Sequence, residues 1–196
     1  MKAKAKTTEP VFIGYFAKPT MKRTEWLNAP KVEEICCFAE CQINPLFDWI
    51  GEWRHNELWV FDSAELAWSV VPEQLRPECQ LFAYRMFPVR YRLGHAEEYQ
   101  LPPVSPMPLD SSFELLGFDL VPRSYDNSFE CSPLWCNRLA EKVPTNRYCL
   151  LDTAEEAFAL APTLEVPGQP MRGEPGPYFI VEVWRQKRAG APSPPR

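Results

Sequence analysis

The chain is short of several things, and each shortage closes a class of function. No apolar run approaches about 18 residues, so no membrane-spanning helix is expected. The first ten residues, MKAKAKTTEP, carry positive charge with no apolar stretch behind them, which argues against a secretory signal. Glycine numbers only eight, and neither Gly-x-Gly-x-x-Gly nor Gly-Lys-Ser/Thr occurs. Phosphate loops built on those patterns are therefore excluded. Basic residues are outnumbered, 21 Lys and Arg against 26 Asp and Glu, for a net charge of −5. A broad nucleic-acid surface needs the opposite balance, so general DNA or RNA binding is not expected. A local basic patch remains available, because Arg85, Arg90 and Arg92 lie close together.

These exclusions leave a cytoplasmic protein with no membrane association as the expectation. In that compartment the seven cysteines are expected to be thiols rather than disulfides. With 45% apolar residues and seven Trp, the 196-residue chain has enough to bury a core. Its 22 prolines mark loops and tails.

One stretch occurs twice. Asn56 to Pro72 (NELWVFDSAELAWSVVP) is echoed without a gap by Asn146 to Pro162 (NRYCLLDTAEEAFALAP). Asn, Asp, Ala, Glu, Ala and Pro recur at the same six places, with Ser63 facing Thr153 and Trp68 facing Phe158. Chance gives about one identity in such a window. This pattern reads as a diverged tandem duplication. Within each copy, Asp62 with Glu65, and Asp152 with Glu155, read as a capping box opening a helix that Pro72 or Pro162 closes. Leu66, Ala67, Val70 and Val71 fall at helical spacing on the face expected to meet the sheet.

The flanking order agrees with two copies. Val11 to Lys18 reads as a strand matched by Phe113 to Val121, with Gly14 and Pro19 answering Gly117 and Pro122. Leu58 to Phe61 matches Tyr148 to Leu151, and within the strand read over Leu81 to Tyr91, Phe82 to Phe87 matches Phe179 to Trp184. Pro88 marks an edge or a bulge in the third strand. The expected fold is α+β: a strand, Cys element, strand, helix, strand unit used twice, with the halves packed about a pseudo-twofold axis. The divisions are a disordered tail at 1–10, a first half at 11–92, a Pro-rich linker at 93–112, a second half at 113–186 and a disordered tail at 187–196.

Each half also carries two cysteines with four residues between them, Cys36 with Cys41 and Cys131 with Cys136. Four thiols in two pairs have the makings of a structural zinc site. A packing explanation is favoured. Ser132 as N-cap and Pro133 at the first helical position would start a helix over Leu134 to Lys142, with Cys131 and Cys136 as its hydrophobic staple. Thioredoxin-type redox chemistry lacks its two-residue spacing here.

Among the remaining residues, His55 has the ordinary pKa of a general base, and Cys36 or Cys41, His55 and Asn56 form a Cys/His/Asn set on paper. Asn56 and Asn146 read first as turn formers. Trp49 and Trp53, four apart in an irregular segment, are candidate anchors for a partner together with His55. The leading expectation is a non-enzymatic interaction module that binds another protein, in an accessory, inhibitor or immunity-type role, with no cofactor. The alternative is a zinc- or thiol-dependent protein using the paired cysteines. A third reading, a small ligand held between the halves, requires a pocket lined by both.

Overall fold

The computed structural model describes residues 9–38, 55–103, 109–123, 129–167 and 174–187. The fold is mixed helix and sheet, of the α+β kind. Its frame is an antiparallel sheet of β1 (Val11–Pro19), β4 (Cys79–Arg92), β7 (Tyr178–Gln186) and β6 (Phe113–Pro122), in the order β1-β4-β7-β6. Two short strands, β2 (Met21–Lys22) and β3 (Glu34–Ile35), pair separately. A further strand, β5 (His95–Glu98), folds back on β4 through the positive-φ pair Leu93 and Gly94. The stretch read as a linker thus begins inside the sheet. Among the described residues no helix is long and apolar enough to cross a membrane.

β1 and β6 are buried along most of their length, so both faces of the sheet are covered. Such strands read as continuous apolar runs instead of alternating ones. Pro88 sits in a register shift between Met86 and Arg90, where β4 pairs with β7. The strand is central, so the bulge explains the proline and an edge position does not.

The repeated stretch builds a turn, and the turn seals a sheet edge. Asn56 donates its Nδ2 to the carbonyl of Ile13 at 2.9 Å, and its Oδ1 accepts from the Leu58 and Val60 amides at 2.9 and 3.4 Å. Asn146 donates Nδ2 to Leu116 O at 2.8 Å and accepts from Tyr148 and Leu150 at 2.9 and 3.2 Å. Trp59 and Cys149 take left-handed φ values of 59° and 62° inside these turns. That geometry prevents the continuous strands expected over 58–61 and 148–151. Each stretch makes a single bridge to the sheet, Phe61 to Tyr15 and Leu151 to Phe118. The outer edges of β1 and β6 are thereby covered.

Helix α1 (Ala64–Ser69) and helix α2 (Ala154–Leu160) start one residue later than the sequence suggests. Ser63 Oγ accepts from Leu66 N at 3.1 Å, while Asp62 takes a hydrogen bond from Asn56 Nδ2 at 2.9 Å. In the second stretch the capping box is Thr153 with Glu156, in place of Asp152 with Glu155. The prolines act as expected at one end only: α1 stops before Pro72, whereas α2 passes into a 3-10 turn, Ala161–Thr163, that contains Pro162. Ala67 and Val71 are buried as their spacing requires, with Leu66 and Val70 packed partly against the core. The helix expected over 134–142 is broken into turns and a 3-10 segment, Leu139–Glu141, because Arg138 adopts φ 59°.

Gly14 and Gly117 make the turn contacts possible. They lie at register shifts in β1 and β6, with φ of 144° and 148°. A Cβ on Gly14 would sit 2.8 Å from Phe61 O, and one on Gly117 would sit 2.5 Å from Leu151 O. Alanine at either position is expected to cost about 3 kcal/mol, combining backbone strain with overpacking. Alanine at Gly94, where the nearest atom lies at 3.4 Å, should cost about 1 kcal/mol. Urea denaturation of the three variants checks this ranking.

Candidate functional site: an arginine cavity and a buried carboxylate

Strand alternation sorts the basic patch. Arg85 pairs across β7 with Glu182 and bonds it at 3.2 Å. Arg90 lies opposite Phe179, which falls on the other face of β7 from Glu182. Arg90 and Arg92 therefore share a face that Arg85 does not. On that face a cavity of about 430 Å³ opens at the end of the sheet. Arg90, Arg92 and Tyr99 line it from the β4 side, and Arg123, Glu130 and Phe179 from the β6–β7 side.

Two of its arginines, Arg90 and Arg123, are held by aromatic rings. Tyr99 follows β5 and donates its amide to Pro88 O at 3.1 Å. The Arg90 guanidinium lies 5.6 Å from the Tyr99 ring centre, and that of Arg123 lies 6.0 Å from it. Arg123 also lies over Phe129 at 5.2 Å and Phe179 at 5.7 Å. It donates Nη1 to the Tyr99 hydroxyl at 2.9 Å and Nη2 to Glu57 O at 3.4 Å. Burial pushes the Arg123 pKa down from its ordinary value. Arg90 is bonded to Glu97 at 2.8 Å, with both side chains substantially exposed, so that pair contributes little to stability. Arg92 is exposed. Stacked guanidiniums keep their forks oriented, which favours a planar or tetrahedral anion.

A second polar cluster lies inside the core. Asp119 is fully buried and accepts from Phe38 N at 2.6 Å, Leu120 N at 2.8 Å and Ser132 Oγ at 2.5 Å. Lys18, 2% exposed, donates to Cys37 O and lies 5.1 Å from the Phe82 ring centre. Cys37 donates its thiol to Cys149 O at 3.1 Å. Desolvation raises the Asp119 pKa to about 6, against the lowering by its three hydrogen bonds and by Lys18. This cluster ties the 33–38 segment to the Asn146 turn and β6. Glu33 and Glu34 donate their amides to Arg147 O, and Cys36 donates to Tyr148 O. Arg185 reinforces the junction, bonding Glu34 at 2.8 Å and Glu114 at 3.0 Å.

The described sequence candidates have separate surroundings. His55 stacks on Trp59 with ring centres 4.7 Å apart and donates Nδ1 to Asn56 O at 2.8 Å. It shapes the first turn. Trp49, Trp53 and Cys41 lie outside the described residues. Cys36 is buried, and its thiol is pushed up to about 12, chiefly by desolvation. Cys131 and Cys136 are partly exposed. Among the described residues no group of three or more His, Cys, Asp or Glu is placed to hold a metal. Sequence reasoning missed Arg123, Tyr99 and Phe179 as one constellation. Arg123 was findable, since it follows Pro122 where Thr20 follows Pro19, a difference between two stretches that the sequence aligns.

Comparison with protein-family models, curated proteins and solved structures finds no match to this chain.

Two measurements check these assignments. In a Cys41→Ser background, a thiol reagent should label Cys131 and Cys136 in the native protein. It should reach Cys36, Cys37 and Cys149 only on unfolding. The second concerns Asp119, whose folded pKa of about 6 lies above its ordinary 3.8. The folded state therefore holds the proton more tightly than the unfolded chain. The resulting stability is present below about pH 4 and is lost as pH rises through about 6, by about 3 kcal/mol. The stability difference between the native chain and Asp119→Asn, followed by urea denaturation from pH 4 to 7, should change by that amount. A flat difference contradicts the assignment.

Proposed function

We propose that the chain is a non-enzymatic binding module, derived by tandem duplication, that holds an acidic ligand in the arginine cavity between its two halves. The cavity carries this reading, because residues of both halves line it and three of those residues are arginines. Its size falls in the range of small-ligand sites. Binding is favoured over catalysis by what surrounds the space. Among the described residues, the lining contains no His, Cys, Ser or Lys to serve as nucleophile or amine. The thiols Cys36 and Cys37 lie buried in the core, where desolvation raises their pKa values and keeps them protonated.

Several paired features support the duplication. The two Asn turns make the same amide contacts, the two bulged glycines carry nearly the same φ, and the strands run β1-β4 then β7-β6. Under this reading the last strands of the two halves, β4 and β7, pair at the sheet centre, and the cavity opens at their shared end. The earlier expectation of a protein partner is kept in one form: the ligand is the acidic group of a larger molecule or a free small acid.

Calorimetric titration with small organic acids tests the proposal. One anion should bind per chain. An Arg90→Gln, Arg92→Gln double variant should retain the fold and lose at least tenfold in affinity, about 1.4 kcal/mol or more. Equal binding by the double variant places the ligand elsewhere.

A further inference from the structure

We infer that the ligand carries a single negative charge on a flat apolar body, as an aromatic carboxylate does, and that the acidic residues of the cavity reject dianions. This deepens the proposed acid-binding role and rests on it. Three observations carry the inference.

The first is the charge count. Among the described residues of the lining, Arg90, Arg92 and Arg123 stand against Glu130 and Glu174, three positive charges against two negative, a surplus of one. One negative charge on the ligand balances that surplus, and Glu97, which bonds Arg90 at 2.8 Å from outside the lining, leaves nothing for a second. A second would stand uncompensated beside carboxylates in a partly desolvated space, where like charges repel strongly. A phosphate-binding cavity would be expected to carry a larger positive excess.

The second is shape. The guanidiniums of Arg90 and Arg123 are planar forks held against aromatic rings. Such forks match the plane and spacing of a carboxylate.

The third is the apolar wall. Phe179 and Tyr99 meet edge to face at 4.9 Å, and Pro175 and Pro177 complete the rim. This surface accepts a ring and offers few groups to a heavily hydroxylated ligand.

Benzoate and phenyl phosphate at pH 8 separate the possibilities, because they share a ring and differ in charge and geometry. For fragments of this size a Kd on the order of 1 mM is expected for benzoate. Phenyl phosphate, a dianion at this pH, should bind at least tenfold more weakly. The discriminating variant is Glu130→Gln with Glu174→Gln, whose side chains are not needed for the fold's described contacts. It should narrow the gap, raising affinity for phenyl phosphate several-fold and for benzoate by a smaller factor, since the dianion feels twice the repulsion. Phenyl phosphate binding as tightly as benzoate to the native chain overturns the inference and leaves the acid-binding role standing. A gap unchanged in the variant also overturns it. Failure of both acids to bind, with the fold intact by circular dichroism, overturns the acid-binding role itself.

Discussion

Two side-chain amides set the frame on which everything else is hung. Asn56 and Asn146 each close a turn with their own oxygen and anchor it to a bulged strand with their own nitrogen. A backbone hydrogen bond across the same turn, Asn56 N to Val60 O or Asn146 N to Leu150 O, at 2.8 Å in both, completes the ring. The anchored strand must approach so closely that only glycine fits. In return, the turn covers the exposed edge of the sheet and launches the capped helix from a fixed direction. Loss of the amide would leave a buried strand carbonyl and several turn amides to find water in a space closed to it.

With both edges sealed, the two central strands are free to carry specificity. β4 and β7 present Tyr84, Met86, Val181 and Val183 to the covered interior, then Arg90 and Phe179 to the cavity. The change from apolar to cationic occurs across the Pro88 bulge. Interior and cavity use charge differently. In the interior, Lys18 and Asp119 are isolated from water and tied to backbone and hydroxyl groups, where they fix the position of the 33–38 segment at a cost in desolvation. In the cavity, Arg90 keeps contact with solvent on one side and the Tyr99 ring on the other, while Arg123 is buried among Tyr99, Phe129 and Phe179.

Much of the frame was legible in the sequence because it depends on local rules. Apolar strands, glycine at matched places and serine or threonine ahead of each helix can all be read from the chain. The caps were assigned to the wrong neighbour because Asp62 and Ser63 are both good capping residues. The distant partner Asn56, which engages Asp62, is invisible to spacing. The 58–61 and 148–151 stretches look like strands by composition, yet the left-handed residues Trp59 and Cys149 turn them. The candidate site was legible only in part. Arg90 and Arg92 were visible as a patch, but Arg123, Tyr99 and Phe179 arrive from other strands by tertiary pairing. The cysteines attracted attention by spacing, whereas the described ones are explained by burial and by turn packing.

The cavity arginines, rather than other basic residues, are the groups expected to meet the ligand. Arginine side-chain NMR during titration with benzoate reads this directly. The Nε–Hε signals of Arg90, Arg92 and Arg123 should shift together and saturate, while Arg185, already bonded to Glu34 and Glu114, stays fixed. Shifts spread over surface arginines, with Arg90, Arg92 and Arg123 unmoved, would contradict it.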